Sequence, residues 1–133
     1  MAFYGGPQGP TTVSPTAIEP RVKIGKIEVA DGATGFAAFG LPKDAFIVGI
    51  YTIAMGANAT QTVNVGFTNG GTDLLNAFAP NSTGYAVGGA ATGTAVGTKL
   101  TADKLVYLKA SLALTNPVYV KVEYYLPQQG MNF

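Results

Sequence analysis

Seven carboxylates, Glu19, Glu28, Asp31, Asp44, Asp73, Asp103 and Glu123, would have to carry any general acid–base chemistry in this 133-residue chain. It contains no histidine and no cysteine, so the usual general base and the thiol nucleophile are both missing. Hydrolysis of a glycosidic bond needs two carboxylates flanking that bond, and these seven are scattered with no paired motif. Asp73 closes the turn Asn69-Gly70-Gly71-Thr72-Asp73, where loop carbonyls could join it around calcium. A calcium loop normally carries several acidic ligands, and this one has a single aspartate, which favours a turn-capping role. The run GGAATGTAVG at 88–97 has the glycines of a phosphate-cradling loop. It lacks the Lys-Ser/Thr ending and does not lie between a strand and a helix. The expectation is a protein without catalysis, metal or cofactor.

Composition points the same way. Eight basic and seven acidic residues leave a net charge of +1, so no basic excess drives phosphate binding and nucleic acid is disfavoured as a partner. Charged residues make up 11% of the chain, about half of the roughly 25% usual in soluble domains. A domain so poor in charge is ill equipped to stay soluble alone, which predicts that much of its surface is covered by other protein. With 47% apolar residues the chain can build one proper core. The absence of cysteine excludes disulfides and Cys/His zinc sites. The opening MAFYGGPQGP lacks the basic start and apolar run of a signal peptide. The longest apolar stretch, Ala45 to Met55, is shorter than the ~20 residues of a membrane-spanning helix. No membrane is expected, and the protein is expected to be made and kept in the cytoplasm unless it leaves as part of an assembly.

The elements that would position these residues read as strands. From Val118 to Leu126, Val118, Val120, Val122, Tyr124 and Leu126 alternate with Tyr119, Lys121, Glu123 and Tyr125. Such alternation marks a half-buried antiparallel strand. Val106, Leu108, Ala110 and Leu112 alternate in the same way with Tyr107, Lys109 and Ser111. Thr115-Asn116-Pro117 supplies turn chemistry between them, so residues 104–126 read as one long β-hairpin. Val106, Leu108, Val120, Val122 and Tyr124 belong in the core, with Lys109, Lys121 and Glu123 at a surface or an interface.

Arg21 to Ala30 reads as a strand whose apolar phase changes at Gly25, which suggests a bulge there. Gly35 to Leu41 reads as a short strand closed by Pro42, and Gln61 to Phe67 as another. Ala45 to Met55 is apolar on both faces, as in a strand sandwiched between layers or lying at a subunit interface. Asp73 to Phe78 could be a helical turn or a short strand, and capping by Thr72 or Asp73 favours the turn. Residues 79–98 form a long Gly/Ala/Thr-rich excursion with Tyr85 to Val87 as its strand, expected as a mobile or contact-making loop. Tyr85, Tyr119 and Tyr125 could stack a sugar or a base, although tyrosines on a sheet face more often pack across strands or at protein interfaces.

The fold expected from these elements is all-β, an antiparallel β-sandwich or jelly roll with an extended N-terminal arm. The domain occupies residues 21–127, preceded by an arm over 1–20 and followed by a tail over 128–133. Prolines 7, 10, 15 and 20 forbid a helix or a central strand in the arm, while Phe3, Tyr4, Val13 and Ile18 give it something to bury. These four are candidate interface residues, and Ile47, Tyr51 and Ile53 are candidates on the two-sided strand.

Two segments, VGFTNGGTDLLNAFAPNSTG at 65–84 and LTADKLVYLKASLALTNPVYVKVEYY at 100–125, resemble small structural proteins of tailed bacteriophages. These are jelly-roll-like head decoration (cement) or head-fibre proteins, and the resemblance covers about half the chain. It implies a homotrimer on the virion surface, seated on the major capsid protein, with no catalytic residues to transfer. A head-fibre or tail-associated module that binds the host surface is the alternative it leaves open.

Overall fold

The computed structural model describes residues 18–80, 84–87 and 91–127, with 18–19 and 84–87 described by backbone alone. Eight strands follow one another among these residues. They are β1 (Ile18–Ile27), β2 (Phe36–Leu41), β3 (Phe46–Ala54), β4 (Val63–Gly66), β5 (Leu75–Phe78), β6 (Gly84–Val87), β7 (Lys104–Ala110) and β8 (Val118–Pro127). A 3-10 turn, Val29–Asp31, follows β1. All pairings are antiparallel and make two four-stranded sheets, ordered β1-β8-β3-β6 and β2-β7-β4-β5. The protein is an antiparallel β-sandwich.

The core is the space between the inner faces. One sheet supplies Ile27, Ile47, Ile50, Ala54, Val118, Val120, Val122 and Tyr124. The other supplies Leu41, Val63, Val65, Leu75, Val106, Leu108 and Ala110. The alternation read along 118–124 therefore has its apolar phase inward, as expected, and Val106 and Leu108 also lie in the core. Leu112 does not follow them, because β7 ends at Ala110 and Leu112 is exposed.

The expected hairpin over 104–126 does not form. β7 pairs with β2 and β4, whereas β8 pairs with β1 and β3, so the two strands face each other across the core. The reason lies in the 111–117 connection, which buried polar side chains from another loop hold as a crossing between sheets. Asn58 Oδ1 accepts the backbone N–H of Thr115 and of Asn116, each at 2.9 Å. Gln61 Nε2 donates to Ala113 O at 3.0 Å and to Thr115 Oγ1 at 3.2 Å.

Two further expectations are corrected. β1 pairs continuously with β8 from Ile18 to Ile27, so no bulge occurs at Gly25. Gly25 instead permits close approach of the sheets: a Cβ there would meet Ala38 Cβ at 2.9 Å and Leu108 Cδ1 at 3.0 Å. Residues 75–78 form strand β5 instead of a helical turn, because Leu74 N–H is taken by Val65 O and residues 75 and 78 pair with β4. The excursion is tied down over 91–100. Gly93 N–H donates to Leu74 O, Ala95 N–H to Asp73 O and Gly97 N–H to Ile47 O. That run joins the beginning of β3 to the loop before β5, one strand from each sheet.

Candidate functional site

The carboxylates that pair or accept hydrogen bonds do so in structural roles. Asp73 Oδ2 accepts the Phe67 N–H at 2.8 Å and closes the glycine turn, in line with the capping role read from its position. Asp103 Oδ1 accepts the Lys43 N–H at 2.8 Å. Asp44 lies 3.8 Å from Lys99 and Glu28 lies 3.4 Å from Lys26. Among the described residues, no three His, Cys, Asp or Glu side chains form a group that could hold a metal ion. No helix there is long and apolar enough to cross a membrane.

The feature that stands out is the outward face of the β1-β8-β3-β6 sheet. Cross-strand partners share a face, so the register aligns Pro20 with Tyr125, Val22 with Glu123, Ile24 with Lys121 and Lys26 with Tyr119. On the other side of β8, Tyr51 partners Lys121, Ile53 partners Tyr119 and Phe46 partners Tyr125. Val22, Ile24, Phe46, Val48 and Tyr125 are exposed, with Ile24 reaching 59%. Tyr51, Ile53 and Tyr119 are half-buried. No third layer of described residues covers this surface.

Its charges are neutralised within the face. Lys121 Nζ sits 4.7 Å from the centre of the Tyr51 ring and 3.5 Å from Glu123 Oε2. The Tyr51 hydroxyl donates to Glu123 Oε1 at 3.1 Å. Lys26 Nζ lies 5.4 Å from the Tyr119 ring centre. Its hydrogen bond and charge attraction to Glu28, followed by the attraction of Tyr119, hold the ammonium above the usual lysine pKa. The arrangement is an aromatic and aliphatic platform with cations lying against its rings.

β1 explains why the apolar residues are outside. Ile27 is wholly buried and Gly25 is pressed against Ala38 and Leu108, so the C-terminal half of the strand dictates the register. A one-residue slip would bury Val22 and Ile24 but would expel Ile27 and put a side chain where only glycine fits. The inward positions at the other end of β1 therefore fall to Arg21 and Lys23. Together with Leu41, Lys104, Tyr124 and Leu126 they line an open cleft of about 500 Å³ at the mouth of the sandwich. Inward-pointing charges on an edge strand discourage another strand from pairing with it.

Of the candidate interface residues, Tyr51 and Ile53 lie on the outward platform, whereas Ile47 does not. Ile47 is wholly buried in the core beside Tyr124, because the shift in register between Ile47 and Gly49 turns it inward. The two apolar faces of the 45–55 run thus serve different purposes, one for the core and one for the outside. Phe3, Tyr4 and Val13 lie outside the described residues, and Ile18 begins β1 instead of ending an arm. Sequence reading missed Val22 and Ile24 as outward residues. Their phase opposite to Ile27 is legible in the sequence, where it reads as a bulge at Gly25.

No protein-family model matches the chain, and no curated protein matches it. Solved structures do share its fold. A chain of the cyanophage Pam1 capsid asymmetric unit superposes with a TM-score of 0.58 at 21% identity, covering 90% of this chain and 100% of that one. A chain of the acid-stable capsid of Helicobacter pylori bacteriophage KHP30 gives a TM-score of 0.54 at 17% identity, covering 82% and 89%. At these identities the likeness is one of fold.

Proposed function

We propose that this chain is a structural protein of a phage virion, a decoration (cement) protein that binds the head shell as a homotrimer and contacts the major capsid protein. The observation that carries the reading is the fold shared with a chain of a phage capsid asymmetric unit over 90% of this sequence and 100% of that chain. The strand order β1-β8-β3-β6 against β2-β7-β4-β5 supports a jelly roll, in which two Greek keys interleave. The apolar platform, which no other described residues cover, supports an assembling role, since exposed patches of this kind mark interaction sites. No catalysis, cofactor, nucleic acid or membrane enters this reading. The protein would reside in the host cytoplasm until it joins the capsid surface.

Quantified band ratios from purified particles test the proposal. A cement protein is expected in numbers comparable to the major capsid protein, and light scattering of the released protein is expected to give three copies. The second reading, a head-fibre or tail-associated module that binds the host surface, draws on the exposed ring of Tyr125 as a stacking surface. A handful of copies per particle would favour that reading and remove the first.

A further inference from the structure

We propose that the outward face of the β1-β8-β3-β6 sheet is the seat for residues 1–17 of a second copy of this chain. The proposal deepens the reading of an assembling protein and rests on it only in requiring that copies meet.

The face calls for an apolar occupant of low charge. Lys121 and Lys26 lie against the rings of Tyr51 and Tyr119 and beside Glu123 and Glu28, so a partner has little charge to answer. What the platform offers is aromatic surface flanked by Val22, Ile24 and Phe46. Aromatic platforms are the usual receptors for proline-rich chains, whose backbone loses little entropy on docking.

The sequence contains such a segment, MAFYGGPQGPTTVSPTA, at 1–17. It has no Asp, Glu, Lys or Arg, carries Pro7, Pro10 and Pro15, and includes Phe3, Tyr4 and Val13. A segment of this length spans about 50 Å at ~3.1 Å per residue in the polyproline conformation. A ten-residue strand is about 33 Å long, so the segment is long enough to leave its own domain and cross a neighbour.

The point of attachment favours the neighbour. Ile18 starts β1, the outermost described strand of this sheet, and pairs with Pro127 at the end of β8, so the face lies ahead of Ile18 in the direction of the chain. Covering its own face would require a full reversal directly before Ile18. Edge-to-edge pairing of two β1 strands is the less favoured contact, because Pro20 has no N–H to donate and Arg21 and Lys23 point inward at that edge.

The chain has no cysteine, so single cysteines report contact cleanly. Purified Val13→Cys protein is mixed with size-tagged Ile24→Cys protein under mild oxidation and read by non-reducing electrophoresis. Asn76→Cys, exposed on β5 of the opposite sheet, serves as control. The expected result is a Val13–Ile24 heterodimer at least about tenfold above the Val13–Asn76 product and above either homodimer. Equal coupling to position 76 would overturn the proposal, as would no heterodimer above background. An excess of Ile24–Ile24 homodimer would indicate face-to-face packing and overturn it too. So would a Val13→Cys/Ile24→Cys protein that closes only within one chain. The assay uses isolated protein, so its failure is distinguishable from low copy number on particles, which bears on the decoration reading alone.

Discussion

Asn58 shows how one buried polar residue shapes this fold. Its side chain is wholly buried, accepts from Thr115 N–H and Asn116 N–H, and donates to Gly56 O at 3.3 Å. Asn58→Ala would strand two backbone donors, and each such loss costs about 1–3 kcal/mol when water cannot reach the group. The expected outcome in urea or thermal unfolding is a loss of a few kcal/mol, with the fold retained. An unchanged midpoint would mean that the 111–117 crossing is held by other contacts. Gly93 is equally constrained, because an added Cβ would collide with the backbone of Thr72 and Asp73. Gly93→Ala is expected to destabilise by about 1–3 kcal/mol through overpacking. Asp73, Asp103 and Glu123 belong to the same scale. Alanine at each is expected to alter stability or assembly only, and hydrolysis of a polysaccharide or peptide that vanished with one of them would reinstate an enzymatic reading.

Among the elements, β8 and β1 matter most. β8 lies inside its sheet, between β1 and β3, and Val118, Val120, Val122 and Tyr124 all point into the core. Val122→Asp would bury an unpaired charge at a cost of several kcal/mol, a large part of the 5–15 kcal/mol that typically holds a domain together. The expected outcome is failure to fold. A soluble, cooperatively melting Val122→Asp protein would show that the faces are reversed. β1 carries the opposite expectation. Ile24 is exposed on the outward face, so Ile24→Ser should change stability by no more than about 0.5 kcal/mol. The same substitution should weaken self-association. A large fall in melting temperature would place Ile24 in the folding core and not at an interface.

For the whole molecule, the sandwich leaves one sheet with an apolar exterior in a chain with a net charge of only +1. Such a surface is expected to be covered in the working state, because apolar area returned to water forfeits roughly 25 cal/mol per Å². Deleting residues 2–17 is therefore expected to leave the β-sandwich folded with nearly unchanged melting, since residues 18–127 supply the eight strands of both sheets. On the proposed decoration role, attachment to shells should fall. Full occupancy of particles by the truncated protein would assign that segment no part in assembly.

What the sequence determined by itself was the all-β class, the strands at 36–41, 46–54, 63–66, 104–110 and 118–127, and the inward phase of the last two. Period-two alternation is a local property, so a single chain displays it in full. Which strands pair was decided by the tertiary structure. The apparent hairpin became two strands facing across a core because Asn58 and Gln61, some fifty residues earlier, hold the intervening loop. The platform was equally hidden. Val22 and Ile24 could be seen to share a face, but whether that face turned inward depended on Gly25 fitting against Ala38 and Leu108 of the other sheet. Alternation records that a strand has two different faces, and only the packing partner decides which of them meets water.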